Sequence, residues 1–199
     1  MELGLVGPLT IRLALATLLR IMITGNPAFG APWSTLLKAV TAVAVVTLVA
    51  VGLVFLTLFP RELEAGLPLD FALLTVLSSL FGSALFVVRG YGLEPGVLLV
   101  RRLLWSTRIP LDGLARAWTD PTAMKGSLRL FGNGGLFVFA GLFSNRKLGR
   151  YRAFATEPRN AVVLKLSNRT VVVTPDRPAE FLQALPLFSP QVKIGEEKG

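Results

Sequence analysis

The sequence predicts an α+β membrane protein: a two-helix transmembrane hairpin followed by an antiparallel β-barrel or sandwich with one C-terminal helix. Three observations carry this expectation. Ala39 to Phe59 and Phe71 to Val88 are uncharged apolar runs separated by a short polar break. A bilayer core of ~30 Å needs ~20 helical residues to cross, and both runs fit its usable range. The chain as a whole is 52% hydrophobic with a mean hydropathy of +0.61, too apolar for an ordinary soluble domain of 199 residues. From Gly90 onward, short apolar segments alternate with turn residues at the ~8–12-residue spacing of small all-β folds.

Residues 1–33 form an N-terminal segment. Glu2 stands where a signal peptide would carry a basic start, and no small-residue cleavage site follows a clean apolar core. Pro8 can open a helix that Gly25-Asn26-Pro27 closes. Arg12 and Arg20 interrupt its apolar residues, which suits an interfacial helix lying on the membrane or an extra helix packed on the hairpin. Gly25 to Trp33 reads as a loop, with Trp33 placed for the headgroup level.

The hairpin occupies residues 34–89, with spans at 39–59 and 68–88 and a connector carrying Arg61, Glu62 and Glu64. Lys38 precedes the first span; Arg89, Arg101 and Arg102 follow the second. Basic flanks stay in the cytosol. The expected location is therefore the cell (inner) membrane, with both termini cytosolic. Small residues and hydroxyls (Ala50 and Gly52 on the first helix; Ser78, Ser79, Gly82, Ser83 and Ala84 on the second) are candidates for the helix–helix contact. Residues 1–88 carry four basic and four acidic side chains, so the whole net charge of +9 falls after the second span.

In the soluble part, residues 90–187, Glu94-Pro95-Gly96 is a turn and Val97 to Trp105 a strand. Ser106 to Gly113 reads as turn, and Leu114 to Thr119 as the next strand. Ser127 to Phe131 and Leu136 to Phe143 flank a glycine-rich stretch. Arg150 to Thr156 follows, then a hairpin of Asn160 to Leu166 with Thr170 to Thr174. Asp176 is placed to cap a final helix running to about Leu185, with Phe181, Leu182 and Leu185 facing a core. That makes about seven strands and one helix. Pro186 onward reads as loose, and residues 188–199 as a flexible tail.

Several stretches resemble the bacterial PH (pleckstrin-homology-like) domain family: Thr107 to Leu111, Arg129 to Gly132 with Gly134 to Phe137, Gly141 to Phe143, Leu148 to Tyr151 continuing to Thr156, and Val172 to Asp176. The resemblance covers about Val87 to Leu187. It implies a prokaryotic membrane protein with a cytosolic PH-like domain, and little about activity, because fold does not fix function.

The composition narrows the chemistry. The chain has no Cys and no His, which excludes disulfides, thiolate or imidazole metal sites, and Ser-His or Cys-His catalysis. The carboxylates are scattered through turns without a paired spacing for acid-base work. Phe131-Gly132-Asn133-Gly134-Gly135 lacks the Lys-Ser or Lys-Thr and the helix start of a phosphate loop, and reads as a hairpin turn. No catalytic residue, metal or cofactor is expected. Nucleic acid is not an expected partner either, since the basic domain is tethered at a membrane and carries no recognition motif. The remaining candidates are basic: Arg89, Arg101 and Arg102 next to the second span, and Arg146, Lys147, Arg150 and Arg152 further on. Such groups attract anionic headgroups at ~1 kcal/mol each near the surface. The expected function is a membrane-anchored module that holds a protein partner or a second copy of itself at the cytosolic face. The alternative is a sensor of anionic lipid headgroups. Expected partners are thus membrane lipids and a protein or homo-oligomeric partner.

Overall fold

The structure, a computed structural model, describes residues 27–58, 67–134 and 137–195. The expected helix at Leu9 to Thr24 lies outside them. Two helices open the fold: α1 (Thr35–Leu58) and α2 (Leu67–Leu85), which pack on each other. Helix α1 starts four residues before the expected span because Ser34 caps it. The Ser34 hydroxyl accepts from Leu37 N at 3.0 Å, and its carbonyl accepts from Lys38 N at 3.0 Å. Helix α2 ends at Leu85 rather than Val88, because Val88 is drawn into the β core and fully buried there. Gly52, Gly82, Ser83 and Ala84 are half-buried as expected of a helix contact, whereas Ala50, Ser78 and Ser79 are exposed. The Ser79 hydroxyl donates instead to Thr75 O of its own helix, at 2.8 Å. Among the described residues, one helix is long and apolar enough to cross a membrane. That is Thr35–Val54, with a mean hydropathy of 2.4 and 11% of its apolar window buried. Leu74–Leu85 is a shorter apolar helix.

Two sheets and a helix enclose the core. The first sheet has the order β1 (Ala28–Gly30), β2 (Gly90–Glu94), β3 (Val97–Arg101), β4 (Ser106–Pro110), all antiparallel. The second contains β5 (Leu114–Thr119), β6 (Leu128–Gly134), β7 (Phe139–Asn145), β8 (Gly149–Ala155), β9 (Val162–Leu166), β10 (Thr170–Val173) and β11 (Lys193–Ile194), in the order β11-β5-β9-β10-β8-β7-β6. This sheet is mixed rather than antiparallel, since β10 runs parallel to β8 and β11 parallel to β5. Phe29, Tyr91, Leu93, Leu98 and Ile109 from the first sheet meet Leu114, Leu164, Leu166, Val171 and Phe154 from the second. Phe181, Leu182, Leu185 and Phe188 of α3 (Pro178–Phe188) complete this core. A smaller cluster on the outer face of the second sheet joins Tyr151, Phe143, Ala153, Val163 and Val172 to Ala123.

Four expectations are corrected here. Gly25 to Trp33 is not all loop: Ala28–Gly30 is β1, paired with Gly90–Gly92, and Phe29 packs edge-on against Phe181 at 5.1 Å. Ser106–Pro110 is a strand, because Ile109 alternates inward between exposed neighbours. Asp176 does not cap α3. The residue before the helix is Arg177, and the Asp176 carboxylate accepts from Gly30 N at 3.0 Å while Asp176 N donates to Gly30 O at 2.9 Å. The tail boundary at 188 falls too early, because α3 runs through Pro186 to a buried Phe188, Val192 is buried, and β11 pairs with β5.

The glycine-rich stretch also differs from its turn reading. Gly132, Asn133 and Gly134 are still paired in β6, and Gly135 lies outside the described residues. Gly132 sits opposite Gly141 in β7, both at positive φ, +106° and +148°. A Cβ on Gly132 would stand 2.7 Å from Gly141 Cα, so the close approach of the two strands requires glycine at this pair.

Candidate functional site

Both helices leave the β domain at the same end. At the root of α1, Ser34 N donates to Thr156 O at 3.0 Å, Thr41 Oγ1 accepts from Phe137 N at 3.1 Å, and Leu37 is fully buried. At the root of α2, Arg102 holds the last turn. Its Nη1 donates to Phe86 O at 2.7 Å and its Nε to Thr107 Oγ1 at 3.1 Å. The same guanidinium lies 5.4 Å from the Phe86 ring centre, 6.0 Å from Trp105 and 5.6 Å from Phe154. Burial pushes its pKa down, partly offset by the nearby Tyr91. Behind it Tyr91 is fully buried. Its hydroxyl donates to Phe154 O and accepts from Thr174 N at 3.2 Å. Thr174 Oγ1 in turn accepts from Thr156 N at 2.9 Å. Burial pushes the Tyr91 phenol up to about 12, against the lowering effect of Thr174 and Arg102. This polar knot ties β2, β8 and β10 together directly beneath the helices.

The seven basic candidates do not form one site. Arg89, Arg101 and Arg102 cluster at the helix roots, where Arg89 N donates to Arg101 O at 2.8 Å. Arg89 and Arg101 are exposed, and Arg102 is half-buried. Arg146 and Lys147 lie in the β7–β8 turn, at the Gly149 end of β8, whereas the helix roots adjoin its Ala155 end. Six residue steps at ~3.3 Å put these ends about 20 Å apart. Lys147 is engaged with Asp120, at 2.7 Å from Oδ2, and Asp120 Oδ1 also accepts from Thr122 N at 2.9 Å and Thr122 Oγ1 at 2.8 Å. Burial alone would raise the Asp120 carboxyl, but Lys147 and Thr122 outweigh it and hold it below its usual value. Arg150 and Arg152 are exposed on β8, on the opposite face from buried Tyr151 and Ala153.

Their neighbours are apolar. Register places Arg152 beside Leu142 and Phe131, and Arg150 beside Ser144 and Leu128. Leu128 and Phe131 are 74% and 80% exposed on β6, the edge strand of the seven-stranded sheet. The sequence reading missed this apolar edge, as it missed Leu103, Leu104 and Trp105, which stand exposed in the β3–β4 loop. The available signal was the run Val97 to Trp105 itself, whose alternation breaks at Arg101-Arg102. A groove of ≈ 440 Å³ under the Pro121–Ser127 loop is lined by Leu36, Met124, Phe139 and Phe143, with Lys125 and Arg129 among its polar walls. Among the described residues, no cluster of three or more Asp or Glu side chains could hold a metal.

The family model for the bacterial PH domain matches residues 89–187. This chain carries a bacterial PH domain. No curated protein and no solved structure matches the chain. The matched span begins at Arg89, next to the root of α2, and ends one residue before buried Phe188. The PH domain is a binding module in its general character. In this chain it is extended beyond the matched span by β1 on one sheet and β11 on the other.

Proposed function

We propose that the chain is a non-catalytic, membrane-anchored binding module whose PH domain holds a protein partner or a second copy of itself at the cytosolic face. The α1–α2 pair would be the anchor, a transmembrane hairpin with both termini inside. The support for the anchor is the solvent-facing run Val43, Val46, Val49, Leu53, Leu74, Leu77 and Phe81, which no β element among the described residues covers. In water this apolar area would cost ~25 cal/mol per Å².

The observation that carries the binding role is the β6 edge. Among the described residues it offers one unpaired side of a strand, with Leu128 and Phe131 projecting beside Arg150 and Arg152. An extended segment of a partner, or the β6 strand of another copy, can add to such an edge through main-chain hydrogen bonds. A photo-crosslinking residue at position 131 of the full chain, activated in native membranes, tests this. The expected product is a discrete protein adduct that disappears when Leu128→Lys is added. Adducts only to lipid or water would overturn the reading.

The second reading, an anionic-lipid sensor, draws support from Arg89 and Arg101, exposed at the helix roots. It makes Arg89, Arg101 and Arg102 the contact group. Arg146, Lys147, Arg150 and Arg152 would meet the same bilayer only if the domain lay on its side.

A further inference from the structure

We propose that the β3–β4 loop is a second membrane contact, a wedge of Leu103, Leu104 and Trp105 that enters the headgroup–acyl boundary beside α2 and sets the tilt of the PH domain. The inference rests on the reading that α1 and α2 lie in a bilayer. Position comes first: β2 starts five residues after α2 ends, β3 runs back antiparallel to it, and the β3–β4 loop therefore returns to the helix root. The contact is direct. Trp105 packs edge-on against Phe86 at 5.5 Å and 88°, and Arg102 ties the loop to the Phe86 carbonyl at 2.7 Å. A loop locked to the last turn of a membrane helix stands at the level where that helix leaves the hydrocarbon.

Chemistry comes second. Leu104 is 71% exposed and Leu103 is exposed beside it, neither belonging to a core cluster, and Trp105 is exposed apart from its contacts with Phe86 and Arg102. Trp at such a depth keeps its ring in the interface and its N–H toward water. Arg89 and Arg101 flank the loop with cations suited to anionic headgroups. The arrangement is that of an interfacial anchor: apolar tip, aromatic shoulder, basic collar.

A lipid surface is a better occupant than a protein here because the loop is continuous with the helix root through Phe86, so a protein partner would have to fit between the domain and the bilayer. The chain has no Cys, so single cysteines can be placed without background. Spin labels at Leu104→Cys, Asn168→Cys in the distal β9–β10 turn, and Val46→Cys in mid-α1 would be read in the full chain reconstituted into vesicles of neutral plus anionic phospholipid. The readout is collision with oxygen, which partitions into lipid, against a water-soluble relaxant. The expected result is lipid-like exposure at 46, interfacial depth at 104 with at least a several-fold lower accessibility to the aqueous relaxant than at 168, and aqueous exposure at 168. A water-exposed label at 104 with a lipid-exposed label at 46 overturns the wedge alone. A water-exposed label at 46 overturns the anchor on which it depends.

Discussion

Tyr91 and Asp120 are the residues whose surroundings most alter their chemistry, and each makes a pH prediction. The Tyr91 phenol is raised to about 12 from an ordinary value near 10. Its folded-state pKa exceeds its unfolded value, so its contribution is fully present below pH ~10 and is lost as pH rises toward 12, by about 2–3 kcal/mol in all. The chain has two tyrosines, and Tyr151 is also raised by burial against the lowering effect of Ser127. In Tyr91→Phe, the part of the tyrosinate absorbance that appears only with unfolding is expected to shrink, and the alkaline fall in melting temperature to flatten. An unchanged alkaline limb would contradict the buried knot. Asp120 has the opposite sign. Its depressed pKa gives stability that is present above the unfolded value near 4 and lost as pH falls through the folded one. Asp120→Asn is expected to lower the melting temperature at pH 7 and to remove part of the acid-induced drop, because it loses the 2.7 Å pair with Lys147. Arg102→Lys is expected to be a poor substitute. Lysine cannot reach Phe86 O and Thr107 with the planar fork while covering three rings, and the loss should be about 1–3 kcal/mol, read by denaturant melts in mild detergent.

At the scale of elements, β1 decides where the domain begins. Phe29 is buried against Phe181, Asp176 brackets Gly30 with two hydrogen bonds, and Arg177 lies 5.5 Å above the Phe29 ring. A fragment of residues 90–187 therefore lacks both β1 and β11. To isolate β1, residues 87–195 are compared with and without residues 27–34 joined by a flexible linker, and the linked chain is expected to be the more stable by ~3–5 kcal/mol, the size of a Phe→Ala core substitution. Equal denaturation midpoints for the two would show that β1 adds nothing. The β3–β4 loop is held both within itself, where Arg102 N donates to Trp105 O at 2.8 Å, and at a distance, where the Arg102 guanidinium donates to Phe86 O at the end of α2. After Gly90 the order of β3 and β5 to β10, the β9–β10 hairpin and the final helix were legible, because they rest on turn residues and local alternation, whereas β2, β4 and β11 were not. The β1 strand was not, because a three-residue strand has no period to detect and its partner lies some sixty residues away.

For the whole molecule, the basic excess and the apolar helices make one joint prediction. The full chain should sediment with membranes at high speed and enter the supernatant only with detergent, and a C-terminal tag should stay protected in sealed cells. A soluble chain would remove the anchor, and an externally reachable tag would remove the cytosolic placement of the domain. The sequence by itself determined that two uncharged apolar stretches exist, that every unit of the +9 excess follows them, and that residues after Gly90 resemble a bacterial PH domain, as the family match bears out. These are properties of composition and local pattern, which survive without coordinates. Only the tertiary structure decided which basic side chains are neighbours, that Arg102 grips a helix end, that Asp176 holds β1 instead of capping α3, and that Leu128 and Phe131 stand exposed among the described residues. Those facts depend on contacts between residues distant in the chain. A strand's local pattern says that a side chain points to one face, but not what, if anything, covers it.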